Sequence, residues 1–288
     1  MRLRARVPAT SANLGPGFDA FGLALELVNE IEVDPDAAPG VAWAGEGADE
    51  LPTDGTDAVS MAMRRTAEAA GRRLPPVALR GRNRIPLERG LGSSAAAVVA
   101  GVVLADRLLG LGLDPDARLG LAVELEGHPD NAAAALRGGL VIAFRADGGW
   151  RAERVEPAPD LRPVLLVPRA RLATATARAA LPRDVPLADA AFNAGRAALA
   201  LLALTSRPDL LGEALRDRLH QPVRLPLVPM VREAFERVRE AGIPVCVSGA
   251  GPSLLAFEQE GSVPDLGPGW RILRTRPRLQ GAEVEAVG

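Results

Sequence analysis

Charged and apolar residues alternate strictly from Arg2 to Val7, the period-two pattern of a half-buried first strand. An extended apolar stretch covers 20–33, and the apolar spacing over 57–70 predicts a helix with Thr56 as its N-cap. After Pro75-Pro76, a short strand over 77–80 leads through a glycine- and serine-bearing segment into an Ala/Val-rich helix over 93–109, which stops at Gly110. A second helix is predicted over 116–126, behind Asp114-Pro115. An apolar strand over 140–144 follows Gly138-Gly139, and Asp147-Gly148-Gly149 turns into a polar, proline-bearing stretch that runs to Pro163. Beyond it, strands over 164–167, 245–248, 253–257 and 271–274 alternate with helices near 174–180, 187–204, 209–218 and 230–241. This order predicts an α+β protein without internal repeats, divided near residue 150 into domains over 1–150 and 151–288.

Composition narrows the partners. The 34 basic and 36 acidic residues are spread along the chain and leave a net charge of −2, so no basic footprint for nucleic acid or an anionic membrane is present. A small polar molecule is the expected partner. The longest apolar run, 95–105, is about half of the ~20 residues a membrane span needs, and the N-terminus lacks the apolar centre of a signal peptide. With Cys246 as the lone cysteine, these features lead us to expect a cytoplasmic protein without a membrane partner. Lysine is absent from the chain. Both the Walker-type phosphate loop and the protein-kinase site require a lysine on the phosphates, so those two classes are excluded.

The segment Pro86-Leu87-Glu88-Arg89-Gly90-Leu91-Gly92-Ser93-Ser94-Ala95-Ala96 has the make-up of a phosphate cradle. Gly90 and Gly92 permit positive φ and close backbone approach, so that consecutive N–H groups can point inward. The helix beginning there adds unpaired amides and its positive dipole end. Ser93 and Ser94 offer hydroxyls to phosphate oxygens or Mg²⁺, and Ala95-Ala96 leave room for a nucleotide. In isolation the same letters also fit a plain helix start with serine as N-cap.

The segment fits the Pro-x-x-x-Gly-Leu-Gly-Ser-Ser-Ala-Ala pattern of the GHMP kinases, which the chain resembles at two further motifs in the same order. Val7-Pro8-Ala9-Thr10-Ser11-Ala12-Asn13-Leu14-Gly15-Pro16-Gly17-Phe18-Asp19 is similar to the first motif, and Val247-Ser248-Gly249-Ala250-Gly251-Pro252-Ser253 to the third. Glu126-Gly127-His128-Pro129-Asp130-Asn131 resembles the homoserine-kinase branch, which carries Asn where mevalonate and galactose kinases carry Asp. The resemblance implies a two-domain fold: an N-terminal domain like the second domain of ribosomal protein S5 and a ferredoxin-like C-terminal domain. It implies ATP and Mg²⁺ as co-substrate and cofactor, L-homoserine as acceptor, and a place in threonine biosynthesis. Relatives are often homodimers, for which this sequence offers no interface signal of its own.

A zwitterionic acceptor needs a cation for its carboxylate, and arginine supplies the matching fork. On the resemblance, Thr174 and Arg178, four apart and so on one helix face, and Arg224, after a His-x-Pro turn, are substrate-binding residues. Asn13, Asp19 and Asn131 surround the amino acid, with Asp19 as the acceptor for its ammonium or hydroxyl. Mg²⁺ falls to Glu126 and a loop serine, Ser94 before Ser93, with Glu124 as alternative; the general base stays open between Asp19, Asp130 and none. His128 and His220 read as structural histidines, and Cys246 as core. Asp57 stands where relatives often carry an Asn near the adenine. A related kinase for an isoprenoid, a sugar or shikimate, and a catalytically silent nucleotide-binding protein, are the competing readings.

Overall fold

The structure is a computed structural model that describes residues 1–287. Its first half folds as β1 (Arg2–Ala12), β2 (Phe21–Asp34), β3 (Gly40–Gly45), α1 (Ala58–Ala69), β4 (Ala78–Asn83), α2 (Ser93–Leu109), α3 (Pro115–Glu126), α4 (Pro129–Arg137), β5 (Leu140–Ala146) and β6 (Gly149–Val155). There follow β7 (Pro163–Pro168), α5 (Thr174–Ala179), α6 (Leu187–Thr205), α7 (Leu211–Ala214), α8 (Gln221–Arg224), α9 (Pro229–Glu240), β8 (Val245–Val247), β9 (Leu254–Phe257), β10 (Trp270–Arg274) and β11 (Glu283–Val287). Short 3₁₀ turns at Pro208–Leu210 and Leu225–Leu227 complete the connections.

The alternation that marks β1 is realised in its burial: Leu3, Ala5 and Val7 are fully buried while Arg2, Arg4 and Arg6 lie outward. β1 sits inside a sheet of order β11-β1-β2-β4-β3, and the long β2 divides its pairing, with its first residues on β5 and its last on β4. β6 continues this sheet as the hairpin partner of β5. Helix α2 packs on β1, and α4 lies against β1 and β2. α2 is small and apolar nearly all round because α1, α3 and α4 enclose it from the other sides.

The second sheet is antiparallel in the order β10-β7-β9-β8. Period-two alternation sends Val164, Leu166, Val245, Val247, Leu254 and Ala256 to the face covered by α9, whose Val231, Ala234, Phe235 and Val238 form a helical stripe. Leu165, Val167, Cys246, Leu255 and Phe257 face the other way, toward Ala200, Ala203 and Leu204 of α6 and the core of the first sheet. The two layers therefore share a core, which fixes the first half's glycine loop against the second half's turns.

Some expectations shift. The first sheet extends to Val155, and β11 returns from the far end of the chain to pair with β1, so strand pairing does not divide at residue 150. The N-cap of α1 is Asp57, whose carboxylate accepts from the Ser60 amide at 2.9 Å; the Thr56 hydroxyl turns back to Asp54. β3, β6 and β11 escaped the sequence reading because they are edge or hairpin strands whose side chains are mostly exposed, which removes the alternation signal. α6 is the one helix among the described residues long and apolar enough, by length and composition, to cross a membrane. Within this fold it carries buried Asn193 and packs on α7.

Candidate active site

Two glycines shape the loop that opens α2. Gly90 and Gly92 hold φ of 67° and 68°, and a Cβ on Gly92 would lie 2.0 Å from Thr10 Oγ1, one on Gly90 2.2 Å from the Ser248 carbonyl oxygen. Close approach from both sides is what these positions require. Thr10 N donates to the Leu91 carbonyl at 3.1 Å, Ser248 Oγ to Gly90 O at 2.8 Å, and Ser253 N to Arg89 O at 3.3 Å. The three sequence motifs thus meet at one place. Gly92 is the N-cap of α2 and provides no side chain for capping, so neither serine acts as the cap and the first-turn amides face the cleft uncapped.

The loop side chains divide. Pro86, Glu88 and Ser93 line the cleft, and Ser94 Oγ donates to Glu126 Oε2 at 2.7 Å. Arg89 is a staple: its Nε, Nη1 and Nη2 donate to the carbonyls of Pro168, Leu87 and Arg169, which ties the loop to the end of β7. Leu91 contributes backbone to the cleft while its side chain is in the core, and Leu87 packs over Gly47. Ala95 and Ala96 are fully buried, and their small size lets α2 pack closely beneath the loop.

The cleft encloses about 130 Å³. Opposite the loop, Thr174 and Arg178 from α5 and Arg224 from α8 close it, with Asn131, Asp130 and His128 at the start of α4 and Gly249-Ala250 in the third motif. Arg178 forms a two-pronged pair with Asp19, Nη2 to Oδ1 at 2.6 Å and Nη1 to Oδ2 at 3.1 Å. Two guanidinium groups, Arg178 and Arg224, thereby line the same small space, with the Asp19 carboxylate held next to it on Arg178. A larger cavity of 830 Å³, lined by Phe192, Arg216, Arg232 and neighbours, opens elsewhere and contains no motif residue that carries chemistry.

Asn13 lines the cleft and also braces the loop: with φ of 68°, it donates from Nδ2 to the Gly249 carbonyl at 2.9 Å and accepts the Asp19 backbone amide on Oδ1 at 3.0 Å, which fixes the backbone at Asp19. Asn131 accepts from the Thr10 hydroxyl at 2.7 Å. Its own amide donates to Asp130 Oδ1 at 3.2 Å.

Electrostatics follow from burial. Burial raises the Glu126 carboxyl above its usual range, opposed by the Ser94 hydrogen bond and by Arg178. Asp130, 2% exposed, is pushed up to about 7 by burial and then by the nearby Asp19 charge. His128 is lowered by burial, and its Nδ1 is buried without a hydrogen-bond partner, 3.9 Å from Glu126 Oε1. Burial works against the Arg178 charge, but its hydrogen bonds and attraction to Asp19 prevail and raise its pKa. Arg224, more deeply set, is lowered to about 10 by burial and by Arg178.

The structure also adds residues. Thr10 and Ser248 were legible only as letters inside motifs, and His220 only as a lone histidine; what singles them out is contact across long sequence separations, whereas His128 is singled out by lining the cleft. As a hard-oxygen pair, Glu126 and Ser94 suit Mg²⁺, which takes its other ligands from phosphate and water. No group of three or more His, Cys, Asp or Glu side chains able to hold a metal occurs among the described residues.

Comparison with known proteins gives a consistent picture. The model of the GHMP kinases N terminal domain matches residues 57–139, and that of the GHMP kinases C terminal matches residues 197–266. A homoserine kinase of Streptomyces avermitilis is 46% identical over 98% of this chain and 95% of its own length. One of Clavibacter michiganensis is 48% identical over 89% of this chain and 82% of its own. The crystal structure of homoserine kinase from Cytophaga hutchinsonii superposes with a TM-score of 0.84 at 26% identity, covering 99% of this chain and 97% of that one.

Proposed function

We propose, for a chain that belongs to the GHMP kinase family, one reaction: transfer of the γ-phosphoryl group of ATP to the side-chain hydroxyl of L-homoserine, giving O-phospho-L-homoserine for threonine biosynthesis. The observation that carries the acceptor is that Arg178 and Arg224 line the cleft while Arg178 is paired with Asp19 at its edge. An α-amino acid brings the complementary poles: its ammonium engages Asp19 while its carboxylate takes the guanidinium groups. Mevalonate, galactose and shikimate lack the ammonium and leave Asp19 without a ligand partner.

In this reading the N-terminal domain supplies the phosphate site and the C-terminal domain supplies Thr174, Arg178 and Arg224. The amides that open α2 receive the phosphates. Ser94 and Glu126 would hold Mg²⁺, which would supply charge neutralisation at the phosphates. Asn13 and Asn131 are assigned to holding the walls: the first sets Asp19, the second joins Thr10 to α4. Phosphoryl transfer through a loose transition state depends chiefly on alignment and charge neutralisation, and a strong base is not required. Asp130, buried and hydrogen-bonded to Asn131, is assigned to the cleft floor. The absence of a basic patch and the buried, free Cys246 support a cytoplasmic enzyme with small-molecule partners.

The test is ADP release with Mg-ATP across homoserine, serine, mevalonate, galactose and shikimate. Homoserine is expected to exceed mevalonate, galactose and shikimate by at least about tenfold in kcat/KM, since one lost charged contact costs roughly 1.5–3 kcal/mol, while serine keeps both charges and loses through a hydroxyl one methylene short of alignment. Equal rates for all acceptors would contradict the proposal.

A further inference from the structure

Arg224 ends a four-residue helix, and the residue one turn before it, His220, is fully buried and reaches no reactant. Its two ring nitrogens have unlike neighbours. Nε2 lies 2.8 Å from the Gly15 carbonyl oxygen, which can only accept, so Nε2 carries the proton. Nδ1 then presents a lone pair, and Arg224 Nη1 lies 3.2 Å from it. The same Nη1 donates to the Gly249 carbonyl at 2.9 Å. The Phe18 ring stacks on the imidazole at 5.5 Å and 28°, and the Arg224 guanidinium carbon is 5.4 Å from the centroid of that ring. Asp217 does not compete for the Nε2 proton: at 3.7 Å it is beyond hydrogen-bond reach, and its oxygens already accept from three backbone amides and Asn193 Nδ2.

We infer that His220 is a positioning residue, a neutral imidazole whose Nδ1 lone pair holds the Arg224 guanidinium in the orientation that receives the substrate carboxylate. Arg224 Nη1 is occupied by His220 and Gly249, and Nη2 has no protein hydrogen bond among the described residues and is left for a ligand. The imidazole also joins the first-motif loop, through Gly15, to the element that carries Arg224. Its neutrality is matched to the place: a protonated ring would set an N–H donor against a cation. Burial supports this, lowering the His220 pKa to about 4.

The inference rests on the proposed carboxylate-bearing substrate and is tested with His220→Gln and His220→Asn in the full chain. The Gln side chain keeps a polar group near the Nε2 position and loses the acceptor facing Arg224; the Asn oxygen falls near Nδ1 and restores it. Gln is expected to raise the KM for L-homoserine about tenfold. Its kcat and KM for ATP stay within about twofold of wild type, and Asn recovers most of the loss. With 2-aminobutane-1,4-diol, which lacks the carboxylate, wild type and His220→Gln have equal kcat/KM. Equal losses on homoserine and the diol, or an unchanged KM for homoserine in His220→Gln, overturn the inference. Imidazole ¹⁵N shifts of the wild-type protein read the tautomer without any variant: protonated Nε2 with bare Nδ1 is expected, and a protonated Nδ1 refutes it. A wild type that does not phosphorylate homoserine defeats the proposed function instead, while the tautomer is still read.

Discussion

Asp19 and Arg178, 159 residues apart in sequence, close a two-pronged ion pair at 2.6 and 3.1 Å, with Arg178 in the wall of the cleft and Asp19 beside it. Each group is about one-third exposed, so the pair is open to exchange with a ligand. A zwitterion arriving there replaces one ion pair by two, which avoids leaving either charge unpaired.

Loss of either partner should therefore strike substrate affinity more than fold. For Asp19→Asn and for Arg178→Ala, kcat/KM with homoserine is expected to fall about 10- to 150-fold, as loss of one charge-assisted contact to the substrate costs roughly 1.5–3 kcal/mol. The melting temperature should move little. Steady-state kinetics beside thermal unfolding check both halves of the claim.

Gly92→Ala tests the closeness of the loop. The added carbon would meet Thr10 Oγ1 at 2.0 Å, and an alanine would be forced to a φ of 68°. Strain of roughly 1–3 kcal/mol is expected, together with loss of the phosphate site's shape. A lowered urea midpoint and a raised KM for ATP are the predicted readings.

The Ser94–Glu126 contact predicts a metal phenotype. Ser94→Ala leaves α2 intact, since the hydroxyl is exposed and does not cap the helix. Glu126→Gln removes the carboxylate charge. In both, the Mg²⁺ concentration giving half-maximal rate should rise, by a larger factor in Glu126→Gln. Titration of activity with MgCl₂ at saturating ATP separates this from a general loss.

Asp130 gives a pH signature. Burial, and then the charge of Asp19, raise its carboxyl from the ordinary 3.8 to about 7 in the fold. The folded state therefore binds more protons than the unfolded one between these values, and the contribution to stability is complete below about 3.8 and lost as pH rises through about 7. Over that window the loss is of order 4 kcal/mol. Asp130→Asn keeps an acceptor for the Asn131 amide and removes the titration. The gap in unfolding free energy between variant and wild type should thus shift in favour of the variant from pH 5 to pH 8, measured by urea denaturation.

Much of this architecture was legible in the residues. The alternation of Arg2 to Val7, the Gly110 stop of α2 and the glycine loop were realised nearly as read. Thr174 and Arg178 share a face, as their spacing requires, and both line the cleft. What stayed hidden depends on partners distant in sequence. That Asn13 also braces Gly249 and the Asp19 amide is visible only once the fold brings these groups together. Arg89, one arginine among many, becomes a staple only when Pro168 at the end of β7 and Arg169 just after it supply carbonyls. His220 has no local signal, because its meaning lies in Gly15 and Arg224 together. The return of β11 to β1 is set by tertiary pairing over the whole chain length, which periodicity cannot report.

The central claim is tested most directly by ³¹P NMR of a reaction containing the purified chain, Mg-ATP and L-homoserine. The account predicts that the γ-phosphate signal is replaced by ADP and a phosphomonoester that co-resonates with authentic O-phospho-L-homoserine. Unchanged ATP, or release of inorganic phosphate alone, would contradict it.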